Sequence, residues 1–142
     1  METVKNSIKK HEGFRNKVYK DTLGKRTIGY GHLCVEDWWE DDKEYTQAEL
    51  ERIFDKDFDK AKEGASKLYE GCKISDTAKG VIIEMVFQLG TTGVSKFKNM
   101  WKALKETPPN YSVAKIEMLD SRWAKQTPNR AKELSNTIGG IA

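Results

Sequence analysis

The chain has 142 residues, 37% of them hydrophobic and a third charged, an ordinary globular composition that argues against a disordered chain. That length suits one domain or two small lobes sharing a core, large enough to fold without a metal or disulfide. The net charge of +3, from 25 basic and 22 acidic residues, comes without a Lys/Arg stripe interleaved with aromatics, which argues against a nucleic-acid partner.

Residues 1–14, METVKNSIKKHEGF, lack the apolar core of a signal peptide or anchor. Val4, Ile8 and His11 recur at helical spacing instead, so a helix is expected over 3–12, with Gly13 as its stop. KVYKD and RTIGYGHL then flank a short turn containing Gly24 and read as a β-hairpin, with Asp21 near the turn and Thr27 opening the return strand. In that strand Thr27, Gly29 and Gly31 are expected on one face. Such bare glycines mark either the close approach of a ligand or a bulge, and both readings stand open.

An acidic loop, CVEDWWEDDKEY, follows; Trp38 and Trp39 are expected to cover the apolar side of the hairpin, with stacking on sugar rings as the alternative. Cys34 and Cys72 show no metal-ligand spacing and make no disulfide framework; they are expected to be small, half-buried thiols. Thr46 and Glu49 form a capping box before an apolar stripe running from Leu50 to Leu68, which predicts a long helix joining the hairpin lobe to a helical one. Capped by Ser75 or Asp76 and stopped by Gly90, the next segment is apolar nearly all round and therefore belongs at the centre of a bundle. A helix carrying Phe97, Met100, Trp101 and Leu104 ends at Pro108 and Pro109. Another spans Tyr111 to Leu119, and the last begins with Thr127 as N-cap and Pro128 at its first position. The expectation is an α+β protein with a 13–45 hairpin lobe, a 46–69 connecting helix and a 70–142 helical lobe on which helix 3–12 packs.

Four features break local rules. Glu12 stands at a helix C-terminus, where the dipole disfavours a second negative charge by about 0.3–1 kcal/mol and so favours the protonated form a general acid needs. Arg130 stands in the first turn of a helix, where a cation is disfavoured by a similar amount; a meeting of the two would relieve both. Asp57 lies within the apolar stripe between Phe54 and Phe58 and needs a partner, for which His32 is the candidate. The fourth is the glycine-bared strand.

HEGFRNKVYKDTLGKRTIGYGHL, MVFQLGTTGVSKF and SRWAKQTPNRAKEL together resemble the phage-type lysozymes, the endolysins of the T-even phage kind in glycoside hydrolase family 24. The resemblance spans roughly residues 4–134. It implies a lysozyme-like fold with an active-site cleft between the lobes, Glu12 as catalytic acid, Asp21 as the carboxylate that directs water, and Thr27 as the hydroxyl beside that water. It implies that Leu33, Phe87, Gln88, Met100 and Glu117 line the saccharide site, that Arg130 supports the acid, and that His32 and Asp57 form a structural pair. Met100 and Glu117 depart from the small polar or amide residues of those relatives, and the 34–45 stretch is shorter than theirs. No cofactor or metal is implied.

The expected activity is hydrolysis of the β-1,4 bond between N-acetylmuramic acid and N-acetylglucosamine in peptidoglycan. A monomer is expected, resident in the host cytoplasm without stable membrane association until a separate pore-forming protein releases it. The rival readings are a wall-binding module with a dead site, a lytic transglycosylase and a nucleic-acid-binding protein.

Overall fold

A computed structural model describes residues 1–141. The elements in chain order are α1 (Glu2–Glu12), β1 (Arg15–Lys20), β2 (Arg26–Gly29), β3 (His32–Leu33), α2 (Gln47–Tyr69), α3 (Asp76–Ser95), α4 (Lys98–Leu104), α5 (Tyr111–Leu119), α6 (Arg122–Gln126) and α7 (Pro128–Gly139). They divide into two compact units, residues 1–60 and 61–142, and the division falls inside α2. Helix α1, expected to pack on the helical lobe, groups with the first unit, where Lys9 and Lys5 form ion pairs with Glu51 and Asp55 of α2.

In the first unit the expected hairpin is a three-stranded antiparallel sheet of order β1-β2-β3. The single strand read through TIGYGH is two: Ile28 pairs with His32, and Gly29, Tyr30 and Gly31 form the reversal between them. Gly29 and Gly31 both have positive φ, +64° and +77°, so they bend the chain and do not share a strand face with Thr27. The face that is shared belongs to Tyr19, Thr27 and Leu33, which are paired across the three strands. On the opposite face Ile28 joins Trp39, Tyr45 and Leu50 in an apolar cluster. The two tryptophans thus part company: Trp39 is buried core, whereas Trp38 is 58% exposed.

The anticipated pair forms, with His32 Nδ1 at 2.7 Å from Asp57 Oδ2. Glu36 completes it, 2.9 Å from His32 Nε2, and also accepts the Trp39 indole N–H at 2.6 Å. Burial pushes the His32 pKa down, but the hydrogen bonds to Asp57 and Glu36 outweigh burial and raise it above 6.5. Burial likewise pushes the Glu36 carboxyl up, and its bonds to His32 and Trp39 overcome that and hold it below 4.5. The imidazolium therefore contributes stability fully below its unfolded value and loses it as pH rises through the higher folded one. Glu36 contributes above its unfolded value and loses its share as pH falls through the lower folded one. The expected result is that His32→Gln lowers the melting temperature most between about pH 4.5 and 6.5, with the difference shrinking by pH 8; differential scanning calorimetry across pH reads it directly.

The helical elements follow their local signals. Thr46 Oγ1 accepts from the Glu49 N–H at 3.1 Å while Glu49 reaches back to the Thr46 N–H at 3.3 Å, completing the capping box. Ser75 caps α3 by accepting from the Ala78 N–H at 3.2 Å. At Gly90 the backbone leaves the helical region (φ 81°, ψ 162°), so α3 is two helical segments joined at the expected stop. Its first segment buries Ala78, Val81, Ile82, Ile83, Met85 and Val86. A fully buried aliphatic side chain contributes about 1.5–3 kcal/mol, so this segment is a substantial part of the second unit's core, beside Met100, Leu104, Met118 and Ile138. Short α6 has no apolar periodicity long enough to announce it. Pro128 opens α7 as expected, but Thr127 makes no side-chain cap; its hydroxyl donates to the Trp123 carbonyl at 3.2 Å. No helix among the described residues is long and apolar enough to cross a membrane.

Candidate active site

The three residues expected to do chemistry arise from three different local structures of the first unit. Glu12 is the last residue of α1 and half-buried; Gly13, at φ 73°, turns the chain away and donates its N–H to the Lys9 carbonyl at 2.9 Å. Lys9, Lys10 and His11 in the last turn suit the negative end of the dipole, and Glu12 is the exception among them.

Asp21 follows β1 and closes the first turn with its side chain. Oδ1 accepts from the Leu23 N–H at 2.9 Å and from the Lys25 N–H at 2.8 Å, while Gly24 at φ 77° permits the reversal. Both bonds fall on one oxygen and neither on Oδ2. Thr27 is only 3% exposed, and its hydroxyl donates to the Lys25 carbonyl at 3.0 Å. The Asp21 backbone N–H donates to that same carbonyl at 2.9 Å, so one backbone oxygen is shared by the main chain of Asp21 and the hydroxyl of Thr27.

Tyr19, which the sequence did not single out, links these groups to the first carboxylate. It pairs with Thr27 across the sheet. Burial pushes its phenol pKa up, and the charges of Glu12 and then Asp21 push it further, against the Arg15 guanidinium 4.7 Å from the ring centroid. Both carboxylates therefore act on one phenol. Leu33, in register with Thr27 and 43% exposed, offers an apolar edge on the same sheet face.

The open question about the two glycines resolves inside the protein. A Cβ at Gly29 would meet Leu50 at 3.5 Å, and one at Gly31 would run into the Glu12 carboxyl. The contact at Gly29 is ordinary packing, the close approach at Gly31 is made by the protein's own Glu12, and the bend is a tight turn.

In the second unit, Phe87 and Gln88 are half-buried near the end of the first segment of α3. Gln88 is held at both ends of its amide: Oε1 accepts the Trp123 indole N–H at 2.8 Å, and Nε2 donates to Thr127 Oγ1 at 3.3 Å. Met100 and Glu117 line one cavity of about 450 Å³, together with Phe97, Lys96, Arg122 and Trp123. Met100 is 1% exposed, so it supplies apolar floor, while half-buried Glu117 supplies charge. Arg130 is buried in the first turn of α7 and donates from Nε to Glu84 Oε2 at 2.9 Å. Glu84 was not foreseen, although an acid inside the run VIIEMVF carries the same warning that identified Asp57. The two cysteines are free and half-buried, and burial pushes both thiols up, away from the reactive thiolate.

A small three-stranded antiparallel sheet in a mostly helical chain, with the match to the phage lysozyme model, defines the class: a lysozyme-like peptidoglycan hydrolase. The chain belongs to the phage lysozyme family, whose model matches residues 9–137. It is 30% identical to a probable T4-type lysozyme 1 of Dictyostelium discoideum, across 96% of this chain and 93% of that one. It is 29% identical to the probable T4-type lysozyme 2 of the same organism, across 93% and 91%. The pre-baseplate central spike protein Gp5 of Enterobacteria phage T4 is 29% identical across 92% of this chain, a match covering 26% of the spike protein.

The turn-closing bonds of Asp21 separate experimentally from the chemistry expected of its charge. Asp21→Asn keeps the Oδ1 acceptor and is expected to melt within about 1–2 °C of the parent, whereas Asp21→Ala, which orphans two N–H groups, costs about 1 kcal/mol. Both lose wall-hydrolysing activity if the charge is what the chemistry uses; thermal unfolding beside a cell-clearing assay checks it.

Proposed function

We propose that this protein is an endolysin that hydrolyses the β-1,4 bond between N-acetylmuramic acid and N-acetylglucosamine, with inversion. The observation that carries the reading is the shared Lys25 carbonyl, which fixes Asp21 and Thr27 beside one another under the influence of the same phenol as Glu12. Glu12 protonates the glycosidic oxygen as the sugar approaches an oxocarbenium-like state. Thr27 gives its only proton to a backbone carbonyl, so its oxygen is left to accept. A water donating to Thr27 and to an Asp21 oxygen keeps a lone pair aimed outward, toward the anomeric carbon. Asp21 takes the proton that this water loses and stabilises the developing positive charge.

Leu33, Phe87, Gln88, Met100 and Glu117 are assigned to the glycan, with Gln88 oriented by Trp123 and Thr127. Arg130 takes the supporting role for the acid that the family resemblance gives it. The protein acts as a monomer and is held in the host cytoplasm until a pore-forming protein releases it. NMR of the fresh product tests the chemistry: inversion of a β bond gives an α reducing end first. A β first product sinks the inverting mechanism, and a non-reducing anhydro-sugar sinks hydrolysis in favour of transglycosylation.

A further inference from the structure

Gly31 has a φ of +77°, in the left-handed region that favours glycine. Gly71, in the turn after α2, has nearly the same φ, +82°, and there a Cβ would meet nothing within 4 Å. At Gly31 the situation differs. A Cβ would collide with Glu12 Oε1 and lie 2.9 Å from Cδ and 3.4 Å from Cγ of the same side chain. The carboxyl occupies the space that any side chain at position 31 would fill.

Neither backbone is placed to retreat. Lys9, one turn before Glu12, donates to both oxygens of Glu51 at 3.1 and 2.9 Å, and its ammonium lies 5.1 Å from the Tyr30 ring centroid and 4.9 Å from that of Phe54. This anchors α1. Tyr30 anchors the turn next to Gly31: its ring packs against Phe14 and Phe54 at 5.0 and 5.3 Å, and its hydroxyl donates to Glu51 Oε1 at 3.2 Å. With both sides tied to α2, the part able to yield is the rotatable Glu12 side chain.

We infer that Gly31 is the seat of the Glu12 carboxyl, a positioning residue whose missing side chain sets where the acid holds its proton. The inference rests on the reading of Glu12 as the general acid. A methyl group there displaces the carboxyl by rotation about side-chain bonds. A misplacement of about 1 Å is enough to cost about 10²-fold in rate. Gly71→Ala reproduces the backbone strain and touches no carboxyl, so it is the matched control.

The experiment compares the parent with Gly31→Ala, Gly71→Ala and Glu12→Gln. It reads release of reducing ends from purified peptidoglycan, thermal unfolding, and titration of the Glu12 carboxyl carbon by 13C NMR. The two alanine variants are expected to melt within a few degrees of each other. Gly31→Ala alone loses about 10–100-fold in kcat with little change in KM, and it alone displaces the Glu12 titration. A Gly31→Ala enzyme with the kcat of Gly71→Ala, or with an undisplaced titration, overturns the seat. Should Gly31→Ala melt far below Gly71→Ala, the substitution is repeated in a Glu12→Ala background. The seat requires a smaller loss there, and an equal loss in both backgrounds overturns it. An inactive parent, or a fully active Glu12→Gln, refutes the acid assignment instead and leaves the carboxyl titration to decide the seat.

Discussion

Glu12→Gln is expected to abolish clearing of permeabilised Gram-negative cells, with a loss of about 10²–10⁴-fold, the range that a positioned general acid contributes. Gln has the shape of Glu and cannot protonate a leaving oxygen, so the substitution removes the proton and leaves the volume beside Gly31 filled. The fold should be indifferent. The C-terminal end of α1 disfavours the charge by about 0.3–1 kcal/mol, so its removal leaves the melting temperature within a few degrees of the parent. Circular dichroism melts run beside the turbidity assay separate the two effects. A Gln variant that clears cells as fast as the parent discards Glu12 as the acid.

Arg130→Met should be among the most destabilising single substitutions in the chain. Its Nε donates to Glu84 at 2.9 Å, and the two side chains are only 8% and 2% exposed. Removing one member of a buried ion pair leaves the other's charge buried without that compensation and costs about 3–5 kcal/mol, which lowers the melting temperature by about 10 °C or more. The pair as a whole is a different matter, because replacing both charges with apolar groups of similar volume is often neutral. Glu84→Leu with Arg130→Met is therefore expected to recover most of the lost stability. Additive losses in the double variant, measured by thermal unfolding, would show that the pair is not the cause. The proposed role of Arg130 predicts a further split: the double variant regains its melting temperature and not its clearing activity.

The elements legible in the sequence were those whose signals close within one or two helical turns. The Thr46–Glu49 capping box, the Ser75 cap, the break at Gly90 and the span Tyr111–Leu119 all appear where the residues placed them. The His32–Asp57 pair was legible for a related reason, since a carboxylate inside an apolar stripe must find a partner and His32 was the candidate for it. Where a local rule has two exits, the sequence failed. TIGYGH read as one strand because alternation alone cannot tell a bare strand face from two glycines that reverse it, and α6 was too short to show a period.

What the sequence determined by itself was the set of chemical groups and the local structures carrying them: an acid ending a helix, an acid in a turn, a hydroxyl opening a strand. Tertiary structure decided which groups touch. It placed Tyr19 in the field of both carboxylates, gave Arg130 a carboxylate 46 residues away, buried Trp39 while exposing Trp38, and set the Glu12 carboxyl against Gly31. The physical reason is range. Caps, turns and periodicity follow from hydrogen bonds between near neighbours in the chain, whereas ion pairs, close backbone approaches and shared electric fields exist only once distant segments have packed.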